Sequence, residues 1–169
     1  MTGELRYIIF NTNMGWVGIL GSAKGLLRTT LPQHSAQEAR RLLGNGVNHA
    51  VRSHKQFDGL MERFKTYFRG GKIAFPDELD LPGATPFQRK VWEITRLIPY
   101  GETRSYTWVA EQVNKPRAAR AVGQALAGNP LPIIIPCHRV VTIDDKLGGF
   151  SGGVEIKKRL LNLESSATW

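Results

Sequence analysis

Cysteine is nearly absent from this chain: Cys137 is the only one among 169 residues. A single thiol cannot close an internal disulfide, so the fold must rest on its core, and a free thiol is expected to persist in a reducing compartment. Long apolar runs are missing too. None approaches the roughly 18 residues of a membrane-spanning helix, and Met1-Thr2-Gly3-Glu4 lacks the basic stretch and apolar core of an export signal. The expected location is cytoplasmic, nucleoid-associated if the source is prokaryotic, with no membrane partner. Metal-ligand spacing is also lacking among His34, His49, His54 and His138, so no metal and no other cofactor is expected. There are no repeats or low-complexity segments.

Acidic residues are outnumbered, 14 against 23 basic, which leaves a formal charge of +9 and a pI near 10.1. A compact basic globule suits an anionic partner, nucleic acid being the commonest, although solubility alone can account for such a charge. The excess does not identify the half that meets the partner: residues 1–85 hold eleven basic against seven acidic groups and residues 86–169 twelve against seven.

The length suits one or two domains with a sizeable core. Tyr7 to Phe10, Trp16 to Leu20 and Leu26 to Thr30 are short β-prone runs broken by Asn-Thr-Asn and glycine, a small antiparallel meander. Ser35-Ala36-Gln37-Glu38 is a capping box opening a helix through about Leu43. Phe57, Leu60, Met61, Phe64 and Phe68 form the apolar stripe of a second helix, stopped at Gly70-Gly71. Residues 73–85 look extended and connecting, so the expected domains are 1–81, a scaffold, and 82–169. Thr85-Pro86 opens a helix striped by Phe87, Val91, Ile94 and Ile98. Ser105 caps a short helix through Val113, Asn114-Lys115-Pro116 turns the chain, and a second helix runs from Arg117 to Ala127: a helix-turn-helix pattern. The fold class is therefore mixed α/β (α+β), a small N-terminal antiparallel sheet with helices followed by a mainly helical, winged-helix-like domain.

The second of these short helices is unusual in composition. Ala118, Val122, Ala125 and Leu126 share one face; Arg117, Arg120, Gly123, Gln124 and Ala127 share the other, a central arginine ringed by small residues. A major-groove reader needs several long polar side chains. This face suits close approach to a narrow groove and insertion of one side chain.

Cys137 lies within Leu131-Pro132-Ile133-Ile134-Ile135-Pro136-Cys137-His138-Arg139-Val140-Val141. A thiolate is the strongest nucleophile a side chain offers near neutral pH, and a nearby imidazole can take its proton. A lone cysteine in apolar company can equally be an inert core residue. The Pro-Cys-His-Arg-Val phrase after Gly128-Asn129-Pro130 closely resembles the active-site signature of the O6-alkylguanine-DNA alkyltransferases, the methylated-DNA repair proteins. The resemblance extends through Ile98 to Tyr106, Ala118 to Gly123, Ser151-Gly152-Gly153 and Leu160 to Glu164, roughly the C-terminal half, and is loose over the first 80 or so residues.

That resemblance implies irreversible, single-turnover transfer of an alkyl group from O6-alkylguanine, and from O4-alkylthymine, in duplex DNA to Cys137, by a monomer bound through the minor groove. It implies that Glu164 orients His138, which through a water draws the proton from Cys137, and that Tyr106 and Asn129 assist. DNA contacts would come from Ser105, Tyr106, Arg117, Ala119, Arg120, Ala121, Gly123 and Gln124, with Arg120 filling the gap left by the extruded nucleotide. Val140, Phe150, Ser151 and Gly152 would line the base pocket, with Phe150 standing where many members have tyrosine. Independently, Ile156, Leu160 and Leu163 predict the inward stripe of the last helix and set Glu164 beside it. Two alternatives stay open: a non-catalytic damage-binding protein of the alkyltransferase-like type, and a Cys-His-Glu hydrolase.

Overall fold

The computed structural model describes residues 4–144, 146–150 and 152–165. The chain forms two compact units, Met1–Pro82 and Gly83–Trp169.

In the first unit β1 (Leu5–Thr12), β2 (Gly15–Ser22) and β3 (Gly25–Thr29) form the expected meander. A fourth strand, β4 (Ala50–Arg52), joins β1 in parallel, giving the order β3-β2-β1-β4. Three residues are too few to show a period of two, which is why this strand left no mark in the sequence. Helix α1 (Ala36–Leu42) starts at Ser35, whose hydroxyl accepts from Glu38 N. The reciprocal half of the expected capping box is replaced by a Glu38–Arg41 ion pair. Helix α2 (Asp58–Phe68) buries Leu60, Met61, Phe64 and Phe68 as its stripe predicts, and Tyr67 besides. Phe64 meets Phe10, Phe68 and Phe75 with ring centroids 5.0–6.1 Å apart. The 73–85 stretch contains no helix, in keeping with an extended connector, and it is tied down along its length: Leu79 bridges Leu26, Asp80 accepts from Ser22 Oγ at 2.6 Å and Asp77 takes a two-pronged bond from Arg63.

The second unit opens with α3 (Pro86–Thr95), started by a complete capping box between Thr85 and Gln88. Its buried face is Val91, Trp92 and Thr95, with Ile98 just beyond; Phe87 and Ile94 are only half-buried, so the stripe is rotated from the expected one. Trp92 Nε1 donates to Ala125 O at 2.9 Å, pinning α3 to α5 (Ala119–Ala127). Helix α4 (Tyr106–Gln112) is capped by Ser105, which accepts from Trp108 N at 2.9 Å. Asn114 makes the turn in the left-handed region, φ 62°, which asparagine tolerates better than most residues. Arg117 lies in this turn and not on α5, because α5 begins two residues later than the sequence pattern suggests. Two-residue strands β5 (Arg104–Ser105) and β6 (Val140–Val141) pair in parallel, and α6 (Val154–Glu164) closes the unit. Lys157, Leu160, Leu161 and Glu164 are buried on α6, a stripe shifted by one residue from Ile156, Leu160 and Leu163. Among the described residues no helix is long and apolar enough to cross a membrane.

Candidate active site around Cys137

Cys137 begins a single 3-10 turn, Cys137–Arg139, rather than lying on the strand that the apolar run before it suggests. The run 131–136 is folded on itself. Ile135 N donates to Leu131 O at 2.8 Å, and Ile133 is held at φ 76°, a conformation that costs a β-branched residue energy and persists only where the surroundings enforce it. Asn129 does much of the enforcing. Its carbonyl oxygen accepts from Leu131 N at 2.8 Å, and its amide nitrogen donates to Ile135 O at 2.8 Å and to Cys137 Sγ at 3.1 Å. This asparagine, at the exit from α5, is thus bonded to both the loop and the sulfur.

The sulfur is buried, 5% exposed. Burial is the largest influence on it and pushes the thiol's pKa up, while the Asn129 hydrogen bond, the Lys157 charge and the Cys137 and His138 backbone amides pull it down. At rest Cys137 is therefore a thiol surrounded by groups that favour its anion.

His138 is fully buried, and its Nε2 lies 2.5 Å from Glu164 Oε2. A carboxylate at Nε2 keeps a proton there and leaves Nδ1 as the basic nitrogen. Burial, more than any other factor, lowers the imidazole pKa, against the pull of Glu164. Glu164 is also buried, which opposes its ionisation, but hydrogen bonds and charge from His138 and Arg139 prevail and hold the carboxyl far below its usual range.

Tyr106, at the start of α4, is half-buried; its hydroxyl donates to Gly149 O at 3.3 Å. Gly148, at φ 69°, lies against it, and a Cβ there would come within 2.9 Å of the Tyr106 hydroxyl oxygen. Gly123 on α5 faces the same ring, its Cβ position 3.8 Å from Tyr106 Cε1. Arg117, Arg120, Gln124 and Ala127 are exposed, while Ala118, Ala119, Ala121 and Gly123 are half-buried and Val122, Ala125 and Leu126 buried. The face opposite the core is thus the arginine-and-small-residue face expected, except that Gly123 turns toward Tyr106. Val140 is buried, Phe150 half-buried and Gly152 exposed; Ser151 lies outside the described residues. Among the described residues no three His, Cys, Asp or Glu side chains are arranged to hold a metal ion.

The C-terminal unit matches the family model of the 6-O-methylguanine DNA methyltransferase DNA-binding domain over residues 86–166. A methylated-DNA–protein-cysteine methyltransferase of Methanosarcina barkeri is 45% identical over 116 residues, 69% of this chain and 73% of the relative. The chain belongs to this methyltransferase family. A Mycobacterium tuberculosis methylated-DNA–protein-cysteine methyltransferase is 50% identical over 110 residues, 65% of this chain and just under two thirds, 66%, of its own length. The crystal structure of Mycobacterium tuberculosis OGT in complex with DNA superposes with a TM-score of 0.79 at 39% identity, covering 96% of this chain and 94% of that one.

Two residues of this methyltransferase-family chain escaped the sequence reading. Arg139 donates from Nε to Glu164 Oε1 at 2.8 Å, from one terminal nitrogen to Oε2 at 3.1 Å and from the other to Ile98 O at 2.8 Å. Its only signal was an arginine within an apolar run. Lys157 is fully buried and donates to Val140 O at 2.7 Å, to Gly149 O at 3.2 Å and to Leu147 O, with Tyr106 Oη 3.4 Å away. Burial depresses its pKa to about 8, against the pull of Cys137. Among Glu155, Lys158 and Arg159 it looked like one more charge on a solvated face, and nothing in the spacing distinguished it.

Proposed function

We propose that this protein repairs DNA by direct reversal, moving the alkyl group of O6-alkylguanine in duplex DNA onto Cys137 once and irreversibly. The observation that carries the proposal is the sulfur held at 3.1 Å by Asn129, one residue before a buried histidine paired at 2.5 Å with Glu164. Glu164 orients His138, which takes the Cys137 proton through a water. The thiolate attacks the alkyl carbon in line, the S–C bond forms as the C–O bond breaks, and the guanine leaves as an anion that regains a proton. The net change is thiol plus alkylguanine to thioether plus guanine. A thioether has no good leaving group, so no water restores the thiol.

Reaching a sulfur this buried requires the nucleotide to leave the stack. Arg120, exposed on a helix of small residues, fills the gap from the minor groove, and Tyr106 assists the rotation. Ser105, Arg117, Ala119, Ala121, Gly123 and Gln124 complete the duplex contact, and Val140, Phe150, Ser151 and Gly152 the base pocket. O4-alkylthymine is a second substrate. The protein works as a monomer in the cytoplasm or nucleoid, where a free thiol survives. A nucleophile built into this network favours catalysis over passive damage binding.

Mass spectrometry after incubation with O6-benzylguanine or methylated duplex is the test. One alkyl group per chain, on Cys137 and lost in Cys137→Ala, is the expected result; sustained turnover, or alkylation elsewhere, overturns it.

A further inference from the structure

The N-terminal unit holds a cleft of about 300 Å³ lined by Asn11, Thr12 and Asn13 at the β1–β2 turn and by Lys65 and Arg69 on the last turns of α2. Among the described residues no carboxylate lines it. Internal needs account for neither the cations nor the amides. The carbonyls at the end of α2 are already taken by the backbone: Arg69 N bonds Lys65 O at 3.1 Å, Gly70 N bonds Tyr67 O at 2.9 Å and Gly71 N bonds Thr66 O at 2.9 Å. Lys65 and Arg69 are therefore not required as C-terminal caps. Arg69 makes no ion pair among the described residues, and Lys65 has only a loose one, 3.8 Å from the exposed Glu62. In the turn, Thr12 Oγ1 is used twice, donating to Gly15 O and accepting from Met14 N, while Asn11 Oδ1 accepts from Thr12 N. What Asn11 still has to offer is its amide N–H pair. The cleft thus joins two cations to amide donors on a turn whose own bonds hold its shape.

We propose that this cleft binds a phosphate group of the DNA backbone, giving the N-terminal unit its own contact with nucleic acid beyond support of the fold. The inference rests on the DNA-repair reading above. A phosphate oxygen takes up N–H donors and positive charge together. The cleft is open and its cations are flexible, which suits an anion carried by a polymer better than a free ion that the site must desolvate alone.

The test uses the full chain with Lys65→Gln and Arg69→Gln combined, and Lys72→Gln as an exposed control of the same sign. Affinity for undamaged duplex is measured across a salt series, alongside transfer from free O6-benzylguanine, which needs no duplex. With each phosphate contact contributing about 0.9 to the slope of log affinity against log salt, the double variant, losing one such contact, is expected to lose about 0.9 from that slope. The control should keep the wild-type slope, and transfer from the free base should be unchanged. A wild-type slope in the double variant overturns the proposal, as does an equal loss in the Lys72 control. Inorganic phosphate shifting the Asn11 and Asn13 amide resonances while the duplex slope stays unchanged assigns the cleft to a small phosphate compound and overturns the DNA reading. Failure of the wild type to take the benzyl group counts against the repair reaction, and the salt slope judges the cleft separately.

Discussion

Glu164 answers to two side chains at once, His138 and Arg139, besides accepting from Gly101 N at 3.2 Å, and the two side chains can be separated by what their loss does. Replacing it by glutamine leaves the Arg139 guanidinium buried beside a neutral group. Breaking a buried pair from one side costs about 3–5 kcal/mol, so Glu164→Gln should destabilise by that order in denaturant unfolding. Adding Arg139→Met should recover a good part of the loss without recovering alkyl transfer. On the proposed mechanism, the pH dependence of the chemistry belongs to His138. Burial sets its pKa below the ordinary 6.5, so the imidazole stays neutral and basic down into the acid range. Single-turnover transfer to O6-benzylguanine should therefore hold its rate on going down to about pH 6.5 and fall only below it. In His138→Gln the reaction must rely on the small thiolate fraction of a thiol whose pKa is raised. Its rate should climb about tenfold per pH unit across the neutral range. A wild-type profile that climbs in the same way would exclude His138 as the base.

Among the elements, the loop 147–149 is held from two sides, by Tyr106 on α4 and by Lys157 on α6. Gly148→Ala sets a methyl 2.9 Å from the Tyr106 hydroxyl oxygen and strains a backbone at φ 69°, so the ring or the loop must shift. A displacement of this size at Tyr106, whose hydroxyl feels the Cys137 charge, should slow transfer about 10- to 100-fold with little change in helix content, measured by benzylation rate and circular dichroism. Ser105→Ala removes the cap of α4 and should cost about 1 kcal/mol. Much at this scale was open to inspection. The caps at Ser35, Thr85 and Ser105, the α2 stripe and the helix-turn-helix are local patterns, built from steps of three or four residues along one stretch of chain. The rotated stripes of α3 and α6 were not, since Trp92 faces inward to meet Ala125 O and Lys157 to meet Val140 O on β6 and the loop carbonyls of Leu147 and Gly149. A partner that is far away in sequence overrides hydrophobic period.

For the molecule as a whole, the buried ionisable groups set opposite ends of the stability profile. Glu164 has a folded pKa depressed below its unfolded value, so its contribution is present above the unfolded carboxylate range near pH 4 and is lost as pH falls toward the folded value. Lys157 has its pKa lowered from 10.5 to about 8. Between those two values the unfolded chain binds more protons than the folded one, so stability rises with pH across that window. Wild type should gain denaturant resistance between pH 8 and 10 relative to Lys157→Met, and equal slopes for the two would remove Lys157 as the cause. At neutral pH the +9 charge should make duplex binding weaken steeply with salt, whichever groups make the contacts.

By itself the sequence determined the family, the helical order and the one cysteine proposed as nucleophile, because a lone cysteine in a distinctive phrase, helix caps and apolar periods are all decided by near neighbours. It also placed Glu164 near the inward face of the last helix. Only the tertiary structure decided that Glu164 is shared between His138 and Arg139, that Asn129 reaches the sulfur, and that Lys157 ties the loop to the end of the cysteine turn. Those contacts join residues 8 to 26 positions apart. They exist because folding closes the intervening loops and strips water from charged groups, which must then find one another.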